Sequence, residues 1–428
     1  MLMPALPEIA TYFHISKSLA NLSIAFYVLA MGIIPIWWSV ISELYGRRPV
    51  YLISFAIFLV WNSISAVSTS IDMLIVMRAL SGGASASVQA VGAGTVADLW
   101  EVERRGQAMA YFFLGPMVGP LVSPILGGIL TERLGWRSTQ WATVVYGGIV
   151  WLLIVFCLPE TSTKRPGAKG LDSTTAPENA KGGPSLILRR ISRIFLEPFK
   201  IIAYLRFPPV LITVYYASST FACYYAITIS LQTLFSAPPY SFSPIILGLT
   251  YIPCALGSII ASLLGGRWTD YIMRRQAKSA GRFDASGQLQ FLPGDRLGEN
   301  AWCASTIYPA ACLWFGWTID KHVFWFCPCL ATFFIGLGTS LVFSMTSTML
   351  TELLPGRTST GVALNNILRN SLACVAVVVM QPLIDAIGPG WIFTGLAVIT
   401  WASIVILWLF KKNAVKWAAE MESRLLER

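Results

Sequence analysis

The stretch SVISELYGRR, residues 39–48, decides how this chain is read. One acid (Glu43), one glycine (Gly46) and two arginines (Arg47 and Arg48) sit where two long apolar stretches meet. A degenerate copy, GRWTDYIMRR at 266–275, keeps the order of charges. In it Asp270 replaces Glu43, Met273 replaces Gly46, and Arg274 and Arg275 replace Arg47 and Arg48. A charged turn present once in each half of an apolar chain predicts a duplicated membrane protein whose halves move against each other.

Composition points the same way. The 428 residues are 55% hydrophobic and 12% charged, whereas soluble domains carry about 25% charged residues. The net charge of +10 is unevenly placed. In the segments assigned to the inner side there are 25 Lys and Arg residues, and outside them only Lys17, Arg133, Arg137 and Lys321, with Arg78 and Arg369 inside apolar spans. That asymmetry is the positive-inside pattern of a multi-pass protein. It leaves no basic face for nucleic acid. The eight cysteines fall in apolar spans or at the start of one, and only His14 and His322 could accompany them. No metal site or cofactor is expected.

Apolar runs long enough to cross a bilayer lie at about 21–41, 49–67, 72–97, 106–130, 138–158, 207–233, 244–265, 301–319, 323–348, 359–387 and 391–410. The charge pattern places 7–20 outside, so residues 1–6 (MLMPAL) read as the outer end of a truncated first span. The expected division is a helix bundle over 1–160, a cytoplasmic linker over 161–206, a second bundle over 207–410 and a cytoplasmic tail over 411–428. Within the linker, 186–200 is basic and amphipathic. It fits a helix on the anionic inner leaflet and a solvated connection equally well.

Span 72–97 carries Arg78, Ser81, Ser85 and Gln89 at helical spacing. An ionisable side chain inside a span is costly and marks function by default. Arg78 lies roughly 9 Å from the outer end, so it either lines a cavity or reaches back to the interface. Span 106–130 repeats small residues every four positions, at Gly115-Pro116, Gly119-Pro120, Ser123-Pro124 and Gly127-Gly128. Such spacing admits a close neighbour, and each proline removes a backbone donor and bends the helix. The expectation is a pivot.

Span 207–233 carries Thr213, Tyr216, Thr220, Tyr224, Thr228 and Gln232 three or four apart. They form a substrate-lining face, or their hydroxyls bond only to their own backbone. Span 359–387 holds Asn365, Asn366 and Arg369, the arginine about 16 Å from the inner end. A guanidinium there needs water, an acid or an anionic ligand. At the inner face Glu43 is expected near Thr358–Thr360, where a helix N-terminus favours a carboxylate by about 0.3–1 kcal/mol, and Asp98 is expected to pair with Arg47. With Gly46, Arg48 and Asp270 these residues form the expected gate, whose closure favours an outward-facing form. No Asp or Glu lies deep in a complete span.

Taken together, the chain resembles the fungal twelve-span drug:proton antiporters of the major facilitator superfamily, in the quinidine-resistance-like branch. SELYGRRPV is similar to the family's loop motif, with Glu43 where aspartate is usual. MRALSGG resembles its fourth-span arginine motif, through Arg78 and Gly82. GPMVGPLVSPILGG resembles its fifth-span antiporter motif, through Gly115, Pro116, Gly119 and Pro120. LGWRSTQW, the Leu158–Thr161 run, GDRLGENAW and ALNNILRN fit the same branch.

The resemblance implies an all-α membrane protein with two pseudo-symmetric six-helix bundles rocking about a midplane site. It implies proton-driven export of small organic molecules at the plasma membrane by a monomer in the lipid bilayer. Two deep arginines without a deep acid favour anionic substrates. An uncoupled organic-anion facilitator, a non-transporting sensor on the same fold and an inactive fragment remain as alternatives. A membrane enzyme is disfavoured, because no nucleophile–base set or nucleotide loop is present.

Overall fold

The computed structural model describes residues 1–99, 105–161, 201–282, 298–353 and 358–426, and among these every regular element is helical. In chain order the first eight helices are α1 (Leu6–Tyr12), α2 (Lys17–Ile33), α3 (Pro35–Tyr45), α4 (Arg47–Ala66), α5 (Ile71–Ser85), α6 (Ser87–Leu99), α7 (Arg105–Leu134) and α8 (Arg137–Cys157). They are followed by α9 (Pro208–Phe235), α10 (Pro244–Leu249), α11 (Ile252–Ser279), α12 (Glu299–Asp320), α13 (Phe326–Leu353), α14 (Thr358–Ile387) and α15 (Pro389–Leu426).

Local chemistry explains several boundaries. Ser70 caps α5, accepting the Met73 N–H at 3.3 Å, and Asp72 follows in the first turn, where the helix dipole favours it. Proline opens α9 and α10, positions where its missing N–H costs nothing. Within α7 the helix runs unbroken through Pro116, Pro120 and Pro124.

Among the described residues, eight helices are long and apolar enough to cross a membrane. The runs expected at 106–130, 301–319 and 391–410 are not in that set. They lie in α7, α12 and α15, of 30, 22 and 38 residues, each long enough to cross at about 1.5 Å per residue. In α12, tryptophan, tyrosine and hydroxyl residues dilute the hydropathy, while α15 is apolar over Pro389–Val405. On α8, Val145, Ile149, Leu152, Leu153 and Phe156 are exposed, as suits a helix solvated by lipid.

The chain forms two compact units. One comprises Phe26–Gly115 and Gln140–Tyr204. In it α4 packs on α5 and α3 on α6. Val50, Tyr51 and Val91 make a core flanked by Trp38, Ile41, Phe55, Ile154 and Leu158. Buried polar groups are paired across helices: Ser54 with Ser87 at 2.7 Å, and the Trp38 indole N–H onto the Gly83 carbonyl at 2.8 Å.

The other unit comprises Met1–Ala25, Pro116–Thr139 and Leu205–Arg428. Here α11 packs on α13, α9 on α14, and α12 on both α13 and α15. Its largest fully buried side chains include Tyr216, Phe235, Tyr308, Phe315 and Phe393. The N-terminal residues are tied in by Glu8, which accepts the Trp136 N–H at 3.1 Å. The C-terminal half of α7 meets α10 through glycine. A Cβ on Gly128 would collide with the Pro244 carbonyl, and one on Gly248 with that of Pro124.

Candidate functional site

The opening motif is a turn in the first half and a helix in the second. Gly46 ends α3 at φ +97°, a conformation essentially restricted to glycine, and α4 begins at the next residue. Its copy holds Met273 instead, and α11 runs through it to Ser279. The expected second charged turn is therefore absent, because the residue that permits the turn is absent.

The carboxylate of Glu160 accepts the backbone N–H groups of Arg47 and Arg48 at 3.0 and 3.2 Å. It supplies the α4 N-terminus with the charge that its dipole favours. Arg47 donates to the Ser42 hydroxyl at 2.6 Å and Arg48 to the Val155 carbonyl at 2.9 Å. The side chains of Glu43, Asp98 and Asp270, and of Thr358–Thr360, lie outside the described residues.

In the same unit Arg78 is buried on α5, with its guanidinium 4.1 Å from the Tyr27 ring centroid. Its Nε is buried without a hydrogen-bond partner. The Tyr27 hydroxyl meets Ser85 at 3.1 Å. Gly82 leaves no room for a Cβ beside the Tyr27 carbonyl. Arg78, Gly82 and Ser85 thus share a face packed on α2. Ser81 bonds to the carbonyl of Arg78, and Gln89 is partly exposed.

In the second unit the α9 stripe divides between two neighbours. Tyr216 pairs with Ser305, Thr220 donates to the Tyr308 hydroxyl at 3.3 Å, and the sulfurs of Cys223 and Cys312 lie 3.5 Å apart. These three rungs join α9 to α12 in a parallel ladder. Thr213 and Thr228 donate to carbonyls four residues back.

Another α9 side chain, Phe221, meets α13 and α14. Arg369 on α14 lies 4.4 Å from the Phe221 ring centroid and 5.4 Å from that of Phe343. Its Nη2 donates to Asn366 Oδ1 at 3.1 Å, while its Nε is buried without a partner. Asn365, one turn back on the same face, is buried with its Oδ1 likewise unpartnered. Tyr224 and Tyr225 flank Phe221, at 6.3 and 4.9 Å between centroids. Arg369 makes no ion pair with a described residue. The cluster can therefore accept an anion at a guanidinium edge bordered by aromatic rings.

In α7, a Cβ on Gly115 or Gly119 would meet nothing within 4 Å, unlike one on Gly128. Near the end of that helix, Glu132 accepts the Ile245 N–H at 3.0 Å. That bond, a second from Ser243 and the nearby Arg133 hold its carboxyl below the usual carboxylate range. Among the described residues no three His, Cys, Asp or Glu side chains gather as a metal site would require.

Sequence reasoning missed Glu160, Phe221, Tyr225 and Phe343. The i, i+4 pair Phe221 and Tyr225, beside the polar stripe on α9, was the available signal.

Residues 1–283 match the model of the Major Facilitator Superfamily. Over 348 residues, 79% of this chain and 99% of the relative, the chain is 58% identical to the MFS transporter OpS2 of Beauveria bassiana. It is 31% identical to the MFS antiporter QDR3 of Candida albicans, over 97% of this chain and 75% of that protein. Among solved structures, the human organic anion transporter MFSD10 superposes with a TM-score of 0.55 at 18% identity, covering 95% of this chain and 89% of that one. Similarity at that level is one of fold.

Proposed function

The chain belongs to the major facilitator superfamily, and from that membership we propose that this multi-pass membrane protein is a proton-driven exporter of small organic anions. It works as a monomer at the plasma membrane by alternating access. Its relatives include the fungal transporter and antiporter named above, which supports a secondary transporter.

The observation that carries the anionic substrate is Arg369. Its guanidinium lies against aromatic rings, donates to the neutral Asn366 and meets no carboxylate among the described residues. A cation within a span needs a compensating partner, and a transported anion supplies one. Arg78 repeats the arrangement on Tyr27 in its own unit.

One observation favours a second reading, export without proton coupling. Asp72 and Asp385 sit near span ends, so the described spans offer no deep carboxylate to titrate. An anion leaving a cell with a negative interior needs no proton to drive it.

The test is efflux from a transporter-deleted yeast expressing the full chain, loaded with an organic anion, a cationic drug or a polyamine. Anion efflux lowered at least about tenfold by Arg369→Ala, equivalent to roughly 1.4 kcal/mol, is expected. Efflux of cations only, indifferent to Arg369, would overturn the reading. Collapse of the proton gradient separates the coupled mechanism from the uncoupled one.

A further inference from the structure

The surroundings of Arg369 select among anions. Three helices converge there. Phe221, Tyr224 and Tyr225 come from α9, Phe343 from α13, and Asn366 and Arg369 from α14, each partly exposed although set within long apolar helices. The Phe221 and Phe343 rings stand at 78° with centroids 5.4 Å apart, making a corner in which the guanidinium lies. Tyr224 continues the wall nearly parallel to Phe221, at 16°.

Both rings lie within cation–π distance of the guanidinium, and its Nε–H is buried without a partner, open to a ligand. A cation is repelled from such a place. The cluster contributes one positive charge and no carboxylate, so a single negative charge balances it. The rings beside that charge offer little to an extended polar chain, whose hydroxyls or further carboxylates would lose water without gaining partners. A flat ring packs on them in offset or edge-on geometry, with a gain beyond area burial. We propose that the Arg369 cluster binds organic monoanions that carry an aromatic ring, the anionic group on the guanidinium edge and the ring against the Phe221, Tyr224 and Phe343 wall.

This proposal rests on the transporter reading above, and its test separates the two. The probes are benzenesulfonate and cyclohexanesulfonate, permanent monoanions of similar size that do not leak as neutral acids. Purified full-length protein in liposomes is assayed for binding and counterflow of each. Benzenesulfonate is expected to bind roughly three- to tenfold more tightly, the range that aromatic pairing supplies. Phe343→Leu and Tyr224→Leu each reduce that ratio, while Phe343→Tyr, which keeps a ring, preserves it. Either leucine variant serves if the other fails to fold.

Equal affinity for the two sulfonates in the unmodified protein overturns the aromatic preference and leaves anion transport standing. Binding of neither sulfonate, with benzyltrimethylammonium bound instead, overturns both.

Discussion

Glu160 caps the helix that begins at Arg47, from 113 positions away, its carboxylate accepting the Arg47 N–H at 3.0 Å. The loop motif read in the sequence as a self-contained charged turn is thus completed by the residues that close the first half. The arginines serve partly to fasten the same junction, since Arg48 reaches the Val155 carbonyl.

Removing the cap has a defined cost. Glu160→Ala should destabilise the protein by about 1 kcal/mol, the usual worth of a helix N-cap, read as a lower midpoint in thermal unfolding of detergent-solubilised protein. Glu160→Gln keeps an acceptor and should lose less. Equal stability of all three proteins would remove Glu160 from this role.

Gly46→Ala should be worse. A side chain at φ +97° is strained, at about 1–3 kcal/mol, and its Cβ would stand 2.7 Å from Glu160 Oε2. The same melting experiment, with Gly115→Ala as a control in open space, distinguishes strain from a general intolerance of substitution.

The α9–α12 ladder is testable by a double-mutant cycle. Tyr216→Phe leaves the buried Ser305 hydroxyl without its partner and should cost roughly 1–3 kcal/mol. Adding Ser305→Ala should restore part of that loss, because both polar groups are then gone. Strictly additive losses would show that the hydroxyls are not coupled.

Glu132 predicts a pH dependence. Its carboxyl is held below the usual range, chiefly by the Ile245 N–H, then by Ser243. A depressed folded-state pKa means that the contribution is present above the unfolded carboxylate pKa and fades as pH falls through the folded one. The protection factors of the α10 backbone amides, measured against intrinsic exchange at each pH, should therefore fall at acid pH below the ordinary carboxylate range. In Glu132→Gln that protection should no longer depend on pH. An acid response unchanged by that substitution would assign it to another group.

Much of the architecture was legible because long apolar runs and asymmetric basic residues are properties of single segments. Arg369 was legible for the same reason: its depth in a span can be counted. Its aromatic surroundings were not. Phe221 and Phe343 are ordinary apolar residues on distant helices, and only folding sets them at right angles about one guanidinium. The α9 stripe was seen as one face, yet a helix in a bundle has several neighbours. Tyr216 and Thr220 turn to α12, while Tyr224 stacks on Phe221 instead. Met273 was visible in the copied motif, and its missing glycine already carried the continuous α11.

The unbroken passage of α7 through Pro116, Pro120 and Pro124 leaves an electrical mark on that helix. A proline offers no N–H to the carbonyl four residues earlier, so the oxygens of Phe112, Pro116 and Pro120 are released in turn. Their regular spacing sets their dipoles along one side of the helix. With three helical bonds missing on that side, α7 bends more readily there than a helix with a continuous ladder.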